Sequence, residues 1–236
     1  KGFEDLNIQK NILSELLYKY CEKRRKLYDE LGYSNITVQA LYDSGASRKK
    51  SVSGIDKIIS LVNKIIGANI PHVKNIDELL NSQIVYFLPD KGDKALFTEF
   101  CKKLDIKYEF GKNHQQKEPD IVLKMHDRFF IIEAKHIKES GGAQAKQIGE
   151  LIEFIKYPER SDIIHYVSFM DGIYFNNFIF VKNDNKIKRQ KEAIEENLSK
   201  HKNNFFVNTA GLLSLFKDAL EVKRWYNKAP WSTMLS

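Results

Sequence analysis

Asp120 follows Pro119, and thirteen residues later come Glu133, Ala134 and Lys135. That interval fits one strand, a turn and most of a second strand. If the two strands run antiparallel, Asp120 at the start of the first lies beside Glu133 at the end of the second. Residues two apart on a strand share a face, so Glu133 and Lys135 point together toward Asp120. The run Phe129-Phe130-Ile131-Ile132 suits a buried strand, yet it ends in an acid and a base. Two carboxylates side by side repel unless a cation lies between them. With the Ala134 main-chain carbonyl they make an oxygen-rich donor set of the kind Mg²⁺ takes, and Mn²⁺ suits it as well. A divalent ion there activates a water and stabilises charge building on a phosphate. Lys135 holds or polarises the attacking water, or neutralises charge on the phosphorus.

The surrounding pattern must supply the strands. Residues 4–31 read as a helix with Leu6, Leu13, Leu16, Leu17, Tyr20, Leu27 and Leu31 near helical spacing, and Gly32 as its stop. A short helix at 37–42 and a polar loop at 43–54 follow, then helices at 55–66 and 76–80. Residues 84–88 form a short apolar run. An amphipathic helix is expected at 93–104, strands at 106–110, 121–125 and 129–134, and a tight turn at His126-Asp127-Arg128. A helix at 143–155, strand-like runs at 165–170 and 178–181, a charged helix at 186–200, a strand at 205–208 and a helix at 211–220 complete the pass. The order helix, three strands, helix, strand organises the whole. It predicts an α/β fold, a mixed central sheet flanked by helices, with residues 1–82 as an added helical N-terminal region and 83–236 as the core.

Pro119-Asp120 followed by Glu133-Ala134-Lys135 resembles the signature of the PD-(D/E)XK nucleases, and the order of elements over residues 90–181 is similar to that family's core. The resemblance implies a restriction-endonuclease-like fold and Mg²⁺-dependent hydrolysis of double-stranded DNA, with Asp120 and Glu133 on the metal and Lys135 at the water. It implies a 5′-phosphate product. Members place an acid on the helix before the motif, and here that is Glu99. A serine-glycine-glycine element after the lysine, Ser140-Gly141-Gly142, then Gln144 and Gln147 beside Lys146, resembles several type II restriction enzymes. Glycines let a backbone approach phosphate closely, and a helix N-terminus accepts an anion. Cutting two strands with one site per chain points to a homodimer. Branched-DNA and repair nucleases share the core and remain alternatives.

Arg48-Lys49-Lys50, flanked by serines and glycines, is a candidate contact for a DNA backbone, and the N-terminal third a candidate for recognition. The net charge of +7 favours a polyanionic partner. His136 falls on the strand face opposite Lys135 and reads as structural. Glu118 and Asp127 read as solvated, and Trp225 and Trp231 as packing residues. Cys21 and Cys101 lack the partners of a zinc site or a disulfide framework, which fits a reducing cytoplasm of the bacterial type. No apolar run approaches the roughly 18 residues of a membrane helix. Lys1-Gly2-Phe3-Glu4-Asp5 has no signal-peptide shape, and without an initiator Met the chain reads as trimmed or as a fragment of a longer protein. A rival from another class is a DNA-binding module without catalysis, in which Asp120, Glu133 and Lys135 form a structural ion-pair network.

Overall fold

The computed structural model describes residues 54–137, 142–157, 161–179 and 184–221, together with Glu15. The chain divides into two compact units, Lys1–Ser53 and Gly54–Ser236, and the architecture below is that of the second. The helices expected at 4–31 and 37–42 and the basic loop lie outside the described residues, Glu15 apart.

The described chain runs through α1 (Gly54–Ile66), α2 (Ile76–Asn81), β1 (Ile84–Phe87), a 3₁₀ turn (Pro89–Lys91), α3 (Lys94–Lys103) and α4 (Glu109–Asn113). There follow β2 (Ile121–Met125), β3 (Arg128–His136), α5 (Gly142–Phe154), β4 (Ile164–Asp171), a second 3₁₀ turn (Ile173–Phe175), α6 (Asn176–Ile179), α7 (Asn185–Lys200), β5 (Phe205–Val207) and α8 (Thr209–Leu220). The five strands lie side by side in chain order. β1, β2 and β3 are antiparallel neighbours, whereas β4 and β5 run parallel to β3. The fold is α/β, with a mixed sheet flanked by helices, as the sequence predicts.

Both faces of the sheet are covered, so the paired lengths of β2 and β3 are apolar except at Arg128 and at the buried Lys124, whose ammonium donates to the Leu79 carbonyl at 3.0 Å. On one face Ile121, Leu123, Phe130, Ile132, Val167 and Phe169 pack with Ile55, Ile58 and Val62 of α1 and Leu212, Leu215 and Phe216 of α8. On the other, Val122, Phe129, Ile131 and Tyr166 meet Leu79 of α2, Phe97 and Phe100 of α3, Phe110 of α4 and Phe154 of α5. Met170 and Phe206 extend that second face beneath α5, α6 and α7. The helices α1 and α2, expected in a separate N-terminal region, therefore pack on the sheet itself.

Two expected strands take other forms. Residues 106–110 become a turn leading into α4. Their alternation also puts Ile106 and Phe110 four apart, a helical spacing, and both are buried. Phe110 stacks on His114 at 4.2 Å and meets Phe154 edge-on at 5.0 Å. The third strand of the antiparallel set is instead the apolar run Ile84–Phe87, which precedes α3. Near 178–181, Asn176–Ile179 is helical, because Phe178 turns inward against Phe206 and Phe175. Among the described residues no helix is long and apolar enough to cross a membrane.

Candidate active site

The hairpin of β2 and β3 sets the first acid. Its ladder runs from Met125↔Arg128, beside a two-residue turn with His126 at φ 57°, to Ile121↔Ile132. Asp120 stands one residue before β2, and its N–H donates to the Ile132 carbonyl at 3.1 Å. Glu133 stands one residue past the ladder on β3. Strand alternation therefore puts Asp120, Glu133 and Lys135 on one face, the face covered by α3, α4 and α5. Asp120 Oδ2 accepts the Ala134 N–H at 2.7 Å. Carbonyls two apart on a strand project to the same side. The Ala134 carbonyl thus projects toward the β2 side, as that of Ile132 does, but past the last pair of the ladder.

Glu133 is fully buried. Its Oε1 accepts from Lys135 Nζ at 2.5 Å and from Lys117 Nζ. Its Oε2 is buried and has no hydrogen-bond partner among the described residues. A buried carboxylate oxygen without a partner costs free energy, and such groups in a folded protein need a reason. Asp120 is half-buried. Burial, and then the negative charge of Glu133, push its carboxyl up to about 6 against the opposing pull of the Ala134 N–H, Lys135 and Lys117. The two acids thus repel each other even with two lysines nearby.

Lys117 reaches this point from the turn between α4 and β2. Gln115 and Gln116 have φ of 53° and 59°, the left-handed region that side chains rarely adopt; each costs roughly 1 kcal/mol or more. Hydrogen bonds from Gln116 N–H to the Gly111 carbonyl at 2.7 Å and from Lys117 N–H to the His114 carbonyl at 2.9 Å hold the turn closed. The strain delivers Lys117 between two acids, since Glu150 Oε2 on α5 lies 3.4 Å from its Nζ. Burial works to lower Lys117, but the charge and hydrogen bond of Glu133 outweigh it and hold the amine firmly protonated.

The donor set suits a hard divalent cation. Two carboxylates, one with an orphaned oxygen, stand where β2 begins and β3 ends, and the Ala134 carbonyl follows Glu133 on β3. Among the described residues no group of three His, Cys, Asp or Glu side chains gathers as a ready-made cage. Two carboxylates and one carbonyl are few ligands, and Mg²⁺ is an ion that keeps several of its waters.

Other expected residues fall as follows. Glu99 is exposed on α3, beside the inward-facing Leu96, Phe97 and Phe100, and makes no ion pair among the described residues. Its helix packs over the far part of the sheet, so the solvated face expected to be absent is present. Gly142 and Lys146 are exposed on α5, and Gln144 and Gln147 are half-buried. Gln147 lies one turn before Glu150 and shares its side of the helix. Ser140, Gly141, Arg48, Lys49 and Lys50 lie outside the described residues, as do Cys21, Trp225 and Trp231. His136 falls on the opposite face, where its Nδ1 is 3.0 Å from Asp171 Oδ2, as alternation predicts. Asp127 is exposed; Glu118, expected to be solvated, is mostly covered and pairs with Lys94 at 3.1 Å.

Sequence reasoning misses Lys117 and Glu150. The signal for Glu150 is its position one turn after Gln147 on the same side of the helix. Lys117 carried little signal beyond lying three residues before Asp120, because its reach depends on a left-handed turn built without glycine. Comparison with protein-family models, with characterised proteins and with solved structures finds no match for this chain.

Proposed function

We propose that this chain is a metal-dependent endonuclease of the PD-(D/E)XK type that hydrolyses phosphodiester bonds in double-stranded DNA. The observation that carries the reading is the buried, partnerless Oε2 of Glu133 beside an Asp120 whose carboxyl its charge destabilises, with Lys135 in contact. This is the arrangement of a pair of acids shaped for a cation. Asp120, Glu133 and the Ala134 carbonyl would hold Mg²⁺ or Mn²⁺. When bound, the ion supplies Lewis-acid polarisation of a phosphate oxygen and a more acidic water. Lys135 orients the attacking water and offsets the charge that builds on the phosphorus. Lys117 adds a second fixed cation, and Glu150 keeps it in place.

Within this class, sequence-specific restriction is the reading supported by the glycine-glycine-glutamine element at the start of α5 and by the additional N-terminal unit. A homodimer then cuts both strands. Cleavage of branched or damaged DNA by the same site is the nearest alternative. A second reading, a DNA-binding module without catalysis, is favoured by one observation: Lys117 and Lys135 already pair with Glu133. It leaves the orphaned oxygen without a purpose.

Digestion of unmethylated phage DNA with Mg²⁺, wild type beside Lys135→Ala and Asp120→Ala, separates these readings. Discrete fragments from wild type alone are expected. A smear removes the restriction assignment and keeps the nuclease. Intact linear DNA with cut branched DNA selects the alternative substrate, and no cutting of either leaves the binding module.

A further inference from the structure

A cavity of about 240 Å³ opens on the outer side of Lys117. It is lined by Lys94, Thr98, Tyr108, Gly111, Lys112, Gln116, Lys117 and Glu118. Lysines outnumber acids there, and the one acid, Glu118, is already paired with Lys94. Lys112 is exposed and has no ion-pair partner among the described residues. The side-chain amide of Gln116 is likewise uncommitted among them, while the Thr98 hydroxyl donates to the Lys94 carbonyl at 3.0 Å.

Tyr108 is the unusual member. Its ring packs edge-on against Phe97 at 5.0 Å and parallel to Tyr166 at 6.3 Å, which fixes its direction. Its hydroxyl is buried yet has no hydrogen-bond partner among the described residues. Burial, and then the charges of Glu133, Glu118 and Asp120, keep that hydroxyl protonated, so it is a donor. The backbone is drawn tight around the ring: a Cβ at Gly111 would lie 2.7 Å from the Tyr108 ring and 2.9 Å from the Lys117 carbonyl. A packed fold that leaves a buried donor unmet, beside free cationic and amide donors, provides for an anion.

We infer that this cavity is a phosphate subsite, in which the Tyr108 hydroxyl, Lys112 and Gln116 hold a phosphate of the nucleic-acid strand next to the one that is cut. The inference rests on the nuclease reading for its substrate, and on the cavity alone for its anion. The volume is below the roughly 300–1,000 Å³ of pockets that engulf a whole small molecule, which suits a phosphate and its sugar better than a base. Lys117 then lies between the two phosphates, one side facing Glu133 and the other this cavity.

The test is phosphate binding to the full chain in EDTA, followed by ³¹P line broadening. Wild type binds inorganic phosphate. Tyr108→Phe, which removes no charge, and Lys112→Ala each weaken it about fivefold or more, whereas Lys64→Ala on α1 does not. Because the Tyr108 hydroxyl is unmet, Tyr108→Phe without ligand melts no lower than wild type, which a structural role for that hydroxyl would not allow. A 5′-phosphorylated dinucleotide binds more tightly than phosphate and responds to the same two variants. Equal affinity of the two ligands overturns the strand assignment. No binding, or an equal effect of Lys64→Ala, overturns the site. Asp120→Asn binds phosphate as wild type does; a wild type that binds phosphate but cuts neither linear nor branched DNA with Mg²⁺ counts against the nuclease reading alone. Intact cleavage without phosphate binding counts against this inference alone.

Discussion

Two carboxylate clusters flank the end of β3, one on each face of the sheet, and they are built in opposite ways. On the face of α1 and α8, Asp171 at the end of β4 accepts from Lys57 Nζ at 2.7 Å, Thr209 Oγ1 at 2.9 Å and His136 Nδ1 at 3.0 Å. Burial alone would raise its carboxyl, but those three donors, and above all Lys57, bring it down to about 2. On the face of α5, Asp120 has one main-chain donor and is driven up to about 6, and Glu133 keeps an oxygen with no partner among the described residues. The same strand ends thus carry one acid that is fully met and a pair that is not. A satisfied carboxylate ties elements together: Asp171 links α1, β3, β4 and α8. An unsatisfied pair destabilises the fold unless something else completes it, and that is the expected mark of a site.

The comparison can be broken by substitution. The largest expected effect is on cleavage. Glu133→Gln or Lys135→Ala should lower the rate of DNA cutting by about a hundredfold or more, whereas Asp171→Asn should leave it within a few fold once the variant is folded. Equal losses in single-turnover cleavage would remove the distinction between the two faces.

The next effect is on stability, with opposite signs. Asp171 has a folded pKa below its unfolded value, so its contribution is present above about pH 4 and is lost as pH falls toward 2. Asp171→Asn should therefore cost about 2 kcal/mol at neutral pH. Asp120 has a folded pKa raised above its unfolded value, so the group favours folding at low pH and that advantage is lost as pH rises through about 6. In metal-free buffer Asp120→Asn should accordingly stabilise the chain at pH 8, by about 1–3 kcal/mol, and give no gain at pH 4. Urea melts at the two pH values check both signs.

The smallest effect sharpens the choice of supporting acid. Glu150 touches Lys117, and Glu99 is exposed on α3. Glu150→Gln should slow cleavage about fivefold to tenfold, and Glu99→Gln less than twofold. The reverse order in matched rate assays would move the supporting acid back to α3.

What the sequence made legible follows from how local each signal is. β2, β3 and the placement of Asp120, Glu133 and Lys135 are readable because a continuous apolar run, a two-residue turn and period-two alternation all lie within twenty residues. α3, α5 and α7 are readable from helical spacing. β1 is only four residues long, and its role as the third strand depends on pairing with β2 across the intervening residues 88–120, which hold two helices. Residues 106–110 fit both periods, and only the aromatic packing of Phe110 decides between them. Glu99 is exposed although its apolar neighbours suggest burial, because Leu96, Phe97 and Phe100 define the inward side of α3. Lys117 and Glu150 depend on tertiary contacts that no spacing announces.

The central proposal is that Asp120 and Glu133 bind a divalent cation, and metal-linked stability tests it most directly. The measurement is the melting temperature of the metal-free chain with and without Mg²⁺ or Mn²⁺, for wild type and Glu133→Gln. At a metal concentration about a hundred times the dissociation constant, binding adds about 2.7 kcal/mol, a rise of several degrees for a chain of this size. The account predicts that rise in wild type and its loss in Glu133→Gln, with Asp171→Asn responding as wild type does. No rise in wild type, or an equal rise in Glu133→Gln, would contradict it.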